Sequence, residues 1–329
     1  QIYFIFDIIN YLLKQCVYSF LYYIVVWLDL NMKYSFVTPQ IIIMKKKRCL
    51  IFGSNGFIAK NFASNNQINK NFNILKFNKK KLNLTKDSSI SLLNRFIKKG
   101  DYILFLAAEA PCKNFKQLHN NIKMITNFLT VINNKNISYL SYVSSDAVYK
   151  DTKKKINEES AVDSDSYHGI MHTIREELLT KLYKGKLSIF RPTLIFGPDD
   201  PHNGYGPNQF IRLILNGKKI TLFGEGEERR DHVHIESVVS ILSHAFSNKS
   251  TGTYNIASGK VVSFLNIAKQ IEKISSKKNI IKKTKRSGPL HHLGLRQFDI
   301  KKINKIFGPN NPTNIIDYLE NYRLDQYKT

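Results

Sequence analysis

Gly53, Gly56 and Ala59 stand three residues apart directly after the apolar run Cys49 to Phe52, a spacing suited to holding a pyrophosphate. Gly53 permits a tight turn, Gly56 lets a phosphate approach the main chain, and Ala59 lets a following helix pack close to the strand. The start of that helix, with Asn55, Phe57 and Ile58 around it, offers unpaired N–H groups and a partial positive charge. The chemistry this implies is dinucleotide binding. An NAD site places a carboxylate on the adenosine ribose about 20 residues further on. Here the second strand ends at Phe77-Asn78, Lys79-Lys80-Lys81 follow, and no acid occurs between Gly53 and Asp87. A ribose 2′-phosphate would meet lysines rather than a repelling carboxylate, so NADP is expected over NAD. In the alternative, the lysines form a solvated loop and Asn78 bonds a free hydroxyl. Asn83 and Leu84 lie where they can reach the adenine edge. Leu106-Ala107-Ala108 closes the third strand with small residues that let a cofactor pass near the backbone.

These residues need a scaffold that brings strand ends together, and the pattern from Lys45 to about Asn255 supplies one. Cys49–Phe52, Asn73–Phe77, Tyr102–Ala107, Ser138–Ser144, Leu187–Arg191 and Thr253–Ile256 read as strands, with helical patterns between most of them. That alternation predicts an α/β protein with a Rossmann-like, doubly wound parallel sheet and a smaller C-terminal substrate-binding lobe. The dinucleotide-binding domain is expected over residues 44–191, completed by 232–266. The lobe is expected over 192–231, which opens in a Pro/Gly-rich stretch, and 267–329.

Residues 1–43 differ in composition, being rich in Ile, Tyr, Leu and Phe. The uncharged run Gln15 to Leu28 falls short of the roughly 20 residues that span a bilayer. Extended past Lys14 and flanked by Lys45-Lys46-Lys47-Arg48, it would make a marginal anchor. Met44 directly precedes the first strand, so the upstream segment is expected to be translated non-coding sequence; a membrane is expected as a partner only if it is an anchor. The three cysteines, Cys16, Cys49 and Cys112, have no framework spacing, which suits a reducing, cytoplasmic setting. No Cys/His cluster has zinc spacing, so no metal is expected. The net charge of +25 is spread along the chain rather than gathered in one stripe, so no nucleic-acid partner is expected.

The segment Val143-Ser144-Ser145-Asp146-Ala147-Val148-Tyr149 ends a strand, and Tyr167 opens a helix. With the glycine turn, Asn120-Asn121-Ile122, Arg191-Pro192-Thr193-Leu194-Ile195-Phe196-Gly197-Pro198, Leu222-Phe223-Gly224-Glu225-Gly226 and Arg230-Asp231-His232-Val233-His234, this order resembles the extended short-chain dehydrogenase/reductases. More narrowly, it is similar to the NAD-dependent epimerase/dehydratase family acting on nucleotide sugars. The resemblance implies that Ser145 hydrogen-bonds the reacting hydroxyl or ketone, that Tyr167 exchanges its proton, and that Asn121 steadies the active-site helix. It implies that Ser144, Tyr167 and Met171 adjoin the cofactor. It also implies that Asp146 faces the substrate, that Phe223, Arg230 and Arg286 grip the base and diphosphate, and that Asn208 contacts the diphosphate. A homodimer joined by the helices after Gln117 and Tyr167 is a further implication.

Two departures sharpen the expectation. The family's Tyr-x-x-x-Lys is here Tyr167-His168-Gly169-Ile170-Met171, so the cation that helps bring a tyrosine from a pKa near 10 toward working pH is missing. His168 and His172 share a helix face at i,i+4 and read as surface or interface residues. The dehydratase branch has an acidic pair after its Thr, whereas Ala147 follows Asp146 here, so the eliminating base is absent. The expected activity is an NAD(P)-dependent epimerase or 4-keto reductase of a nucleotide-linked sugar. The alternative is a catalytically impaired family member acting as sensor, scaffold or RNA-binding protein.

Overall fold

Apolar runs buried on both faces are what a parallel sheet covered by helices requires, and Tyr102–Phe105 and Tyr139–Val143 are buried along their whole length. The computed structural model describes residues 13–27, 46–308 and 313–321. Its strands are β1 (Lys47–Phe52), β2 (Phe72–Phe77), β3 (Tyr102–Phe105), β4 (Tyr139–Val143), β5 (Leu187–Pro192), β6 (Leu194–Phe196), β7 (Ile220–Phe223), β8 (Arg229–His234), β9 (Gly252–Ile256), β10 (Val261–Ser263), β11 (Ile281–Thr284) and β12 (Leu295–Arg296). The six strands expected from the sequence form one sheet in the order β2-β1-β3-β4-β5-β9, every pairing parallel. The fold is therefore the Rossmann-like α/β architecture expected. From β1 the chain steps out to β2 and then crosses back over β1 to β3. The strand order thus reverses between β1 and β3, and the crevice beyond their carboxyl ends is where such sheets bind ligands.

The helices are α1 (residues 13–27), α2 (Phe57–Ser64), α3 (Asn66–Asn71), α4 (Ser89–Phe96), α5 (Phe115–Ile132), α6 (Tyr167–Leu182), α7 (Pro207–Leu215), α8 (Ile235–Asn248), α9 (Phe264–Ser275), α10 (Lys301–Phe307) and α11 (Ile315–Asn321). One face of the sheet is covered by α2, α8 and α10 through Phe62, Phe246 and Phe307. The other face is covered by α4, α5 and α6 through Leu93, Phe128 and Leu179. A third core, with Phe196, Phe210, Leu222, Phe264, Ile271 and Leu319, fills the smaller lobe. Its strands pair β7 with β11, and β8 with β6, β10 and β12.

The boundaries between lobes are less simple than a break at residue 266. Phe264 and Ile267 of α9 already belong to the lobe core, while Ile303 and Phe307 of α10 return to the core beneath the sheet. The described part of the final segment thus serves both cores, α10 packing with α2 and α8 and α11 with the lobe.

The chain separates into two compact units, Gln1–Lys45 and Lys46–Thr329. Within the first, α1 exposes Tyr18, Tyr22, Tyr23 and Trp27. Among the described residues no helix is long and apolar enough to cross a membrane. The expectations about Met44 and about residues 1–12 fall outside the described residues.

Candidate active site

The turn after β1 has no room for a side chain. Gly53 has φ +87°, and a Cβ there would lie 2.7 Å from Ala107 N and from Leu106 C. Its N–H and that of Ser54 donate to Phe77 O at 2.9 and 3.1 Å, binding the turn to the end of β2. Gly56 follows as the N-cap of α2 in an extended conformation, with no side-chain cap and no acid in the first turn. A helix start left in this state is a cradle for an anion. A groove opens beside it at the strand-order reversal, lined by Gly53, Asn78, Lys79, Asn83, Leu84, Ala107 and Ala108, with apolar walls from Phe77, Leu82 and Met124 and one carboxylate, Glu109. Seven of the expected cofactor residues thus meet in one groove. Asn55 adjoins them, accepting from Asn78 Nδ2 at 3.4 Å. The side chains of Phe57, Ile58 and Leu106 turn instead onto the core beneath the sheet, so only their main chain is left for a ligand.

Strand β4, next to β3, ends at Val143; Ser144 follows it, and Ser145 caps a single 3₁₀ turn, Asp146–Val148. The hydroxyl of Ser144 is turned inward: it is buried and donates to Glu176 Oε1 at 2.5 Å. Glu176 also receives Arg191 Nε at 3.0 Å and Arg191 Nη2 at 2.5 Å, a buried pair joining α6 to β5. Ser145 Oγ accepts from Ala147 N at 3.1 Å and remains half-buried. Asp146 is held by Arg296, with Nε 2.9 Å from Oδ2, and the same guanidinium reaches Asp151 at 3.1 Å. These contacts bind the carboxylate to β12.

Helix α6 is pressed onto that turn. A Cβ on Gly169 would fall 2.1 Å from Ala147 O and 2.0 Å from Ser164 Oγ. Ser166 caps the helix by accepting from Gly169 N at 3.0 Å. Tyr167, the first helical residue, is 44% exposed, and its hydroxyl makes no hydrogen bond among the described residues. His168 faces inward: its Nδ1 accepts from Cys112 N at 3.3 Å, and it senses the charge of Asp146. Burial lowers its pKa, and Asp146 opposes that in part. His172 is buried, shares a 2.6 Å hydrogen bond with Tyr142 and meets the ring of His168 edge to face at 4.8 Å. The two histidines are therefore interior groups, not the surface residues expected, because the helix turns this face toward β4. Met171 is fully buried and does not line the groove.

Arg175, one turn beyond Met171, is the buried cation that sequence reasoning missed. It donates to Ala107 O at 2.9 Å, to Asn121 O at 2.9 Å and to Asn121 Oδ1 at 3.0 Å, and it lies over the Phe105 ring. Asn121 in turn clips the loop after β3. Its Nδ2 donates to Glu109 O at 3.0 Å and its Oδ1 accepts from Glu109 N at 3.0 Å. Glu109 closes the set, paired with Lys79 at 2.9 Å.

In the smaller lobe, Phe223 stands 47% exposed beside Tyr205. Arg286 donates to Phe223 O at 3.0 Å and to Glu228 Oε1 at 2.8 Å, and Arg230 reaches Glu228 Oε2 at 3.3 Å. The two expected phosphate-gripping arginines thus converge on one buried carboxylate. Glu228 was legible only as the acid two residues before Arg230. Asn208 is buried with both ends engaged, accepting from Gly197 N at 3.2 Å and donating to Asp200 Oδ2 at 2.5 Å, and so acts as a brace. Among the described residues no group of three or more His, Cys, Asp or Glu could hold a metal ion.

Residues 49–257 match the model of the NAD dependent epimerase/dehydratase family. The chain is 31% identical over 198 residues to a dTDP-D-glucose 4,6-dehydratase of Dictyostelium discoideum, covering 54% of this chain and 45% of that protein. It is 27% identical over 169 residues to an uncharacterized UDP-glucose epimerase of Bacillus subtilis, covering 48% of this chain and 52% of that one. The chain therefore spans about half the length of these relatives. Its fold is similar to that of a Bacillus cereus UDP-glucuronic acid 4-epimerase solved with UDP-glucuronic acid and NAD (TM-score 0.72, 20% identity, 85% of this chain and 99% of that). It is likewise similar to a Helicobacter pylori ADP-L-glycero-D-manno-heptose-6-epimerase (TM-score 0.73, 18% identity, 86% of this chain and 97% of that).

Proposed function

The chain belongs to the NAD dependent epimerase/dehydratase family, and from that premise we propose that it is a nucleotide-sugar epimerase or 4-keto reductase using NAD or NADP. The observation that carries the reading is the groove at the strand-order reversal, with its side-chain-free turn at Gly53, one strand away from the turn that bears Ser145. A similar fold in an epimerase solved with NAD and UDP-glucuronic acid supports the ligand class. When bound, the dinucleotide supplies the acceptance and return of a hydride at a ring carbon of the sugar.

This chain's own residues would do the rest. The α2 N-terminus holds the pyrophosphate, the wall of Phe77, Leu82 and Leu84 takes the adenine, and Lys79 favours a 2′-phosphate. Ser145 Oγ hydrogen-bonds the reacting oxygen. The family pattern assigns the proton exchange to the Tyr167 hydroxyl. His168 is the second candidate on the same turn, because Cys112 N–H engages its Nδ1 and leaves Nε2–H to donate to an oxygen gaining negative charge. Arg175 contributes fixed positive charge where Met171 has none. Ala147 offers no base for water elimination, which argues against a dehydratase. Helices α5 and α6 are the faces through which a homodimer would form.

A second reading, a dinucleotide-binding protein without turnover, is favoured by the engagement of Arg230 and Arg286 with Glu228. Epimerisation of UDP-glucose, UDP-glucuronic acid and dTDP-glucose, read by analysis of the sugar products, and oxidation of reduced nicotinamide by a 4-keto nucleotide sugar, read by loss of its absorbance, decide between them. Under the first reading, Tyr167→Phe or His168→Gln lowers the rate on at least one sugar by about a hundredfold or more. The variant that does so identifies the proton-handling group. Dinucleotide binding without transfer to any sugar, in wild type and variants alike, would establish the second.

A further inference from the structure

Among the described residues Glu109 is the single carboxylate lining the groove, and it pairs with the lysine that the adenosine ribose would meet. The two sides of this ion pair are held very differently. Glu109 is fixed: Asn121 clips its backbone at both N and O, and Asn120 Nδ2 donates to its Oε2 at 3.0 Å. Lys79 comes from the end of β2, its side chain is 66% exposed against 22% for Glu109, and its hydrogen bond runs to Glu109 Oε1 at 2.9 Å. If the bridge opened, Glu109 would keep Asn120 and the field of Lys116, while Lys79 would be free to swing. Asn78, at the strand end where an NAD site carries an acid, is neutral, with its Oδ1 engaged by Lys81 N at 3.0 Å.

We propose that the Lys79–Glu109 ion pair is the cofactor selector of this groove. Closed, it neutralises Lys79, and an unphosphorylated ribose enters without an unpaired charge on that side chain. A 2′-phosphate draws Lys79 away from Glu109, which stays satisfied where it is. Glu109 therefore acts as an internal competitor for the phosphate's partner, tempering a preference that Lys79 alone would make strong. A lysine pairs with phosphate as a mobile point charge, which suits such an exchange. This rests on the dinucleotide reading above.

The test is isothermal titration of the full chain with NAD+ and with NADP+, in wild type, Glu109→Gln and Lys79→Met. Glu109→Gln keeps an acceptor for Asn120 and removes the competing charge. It is expected to raise the ratio of NADP+ to NAD+ affinity by about three- to tenfold, and Lys79→Met to lower it by a similar factor. The ratio in wild type should fall with added salt. Ratios unmoved by either substitution, or equal weakening of both ligands in Glu109→Gln, would overturn the selector. Should Glu109→Gln fail to fold by circular dichroism, Lys79→Met decides alone, since its side chain is mostly exposed. Absence of binding heat for both ligands in every protein would instead refute the dinucleotide reading itself.

Discussion

At the scale of single residues, the site depends on a few positions where one atom more or less changes the chemistry. Gly53 is the sharpest case. An alanine there would need a left-handed backbone and would also drive its Cβ into the main chain of Leu106 and Ala107, which cannot swing aside as a side chain can. Gly53→Ala is expected to cost about 2–4 kcal/mol by urea denaturation and to abolish dinucleotide binding, because the end of β3 must shift into the groove. Unchanged stability would mean the turn relaxes freely and is no cradle. This position was legible from sequence, since only a small residue suits a turn of that tightness. Tyr167 and His168 were not separable in the same way. Which of two adjacent residues faces inward depends on the rotation of α6. That rotation is set by contacts distant in sequence, the Glu176–Arg191 pair and the seat of Gly169 against Ala147. Met171 drew notice as a missing cation, but its replacement by Arg175 needed the helix to be seen against α5.

At the scale of elements, strands were easier to read than their surroundings. The six sheet strands were legible because burial on both faces writes continuous apolar runs, as in Tyr102-Ile103-Leu104-Phe105. Strand β8 was legible only as a strand-like stretch about His232 and His234, because four of its five buried residues are ionisable: Arg230, Asp231, His232 and His234. Burial pushes His232 down to about 3 and His234 down to about 4. Both protonate more readily in the unfolded chain than in the folded one. The stability they confer is thus whole above the ordinary histidine value and is lost as pH falls toward 4 and then 3. Asp231 runs the other way. Burial, resisted by donors on Ser258 and Gly259, raises it to about 6, so its contribution is whole below the ordinary aspartate range and is lost as pH rises through about 6. The two histidines outweigh the one aspartate. The thermal midpoint should therefore be level near pH 7 and fall between pH 6 and 4, and His234→Gln should flatten that fall while lowering the plateau. A midpoint that rises on acidification would show that Asp231 governs the strand instead.

At the scale of the whole molecule, the proposed function requires two binding surfaces in register, one on the sheet and one on the smaller lobe. Arg296 is the tie between them. From β12 it reaches Asp146 and Asp151 on the segment that follows Ser145, and its side chain is only 3% exposed. The main chain reinforces the join, with Ile156 N donating to Gln297 O at 2.9 Å and Asp299 N to Ile156 O at 2.7 Å. Removing the guanidinium would leave Asp146 without its ion-pair partner and Asp151 with His292 alone, while the backbone ladder stayed in place. Arg296→Leu is therefore expected to loosen the join without unfolding either core, at a cost on the order of 2 kcal/mol, since both acids keep some access to water. Hydrogen exchange should quicken in residues 146–151 and 295–299 and stay unchanged in β1, β3 and β4. Affinity for a nucleotide sugar should fall several-fold, because its sugar and its diphosphate would contact opposite sides of the join. Dinucleotide affinity should hold, since the groove at Gly53 takes no residue from β12. If dinucleotide affinity fell in step with sugar affinity, the two surfaces would not be separable, and the smaller lobe would be part of the cofactor site.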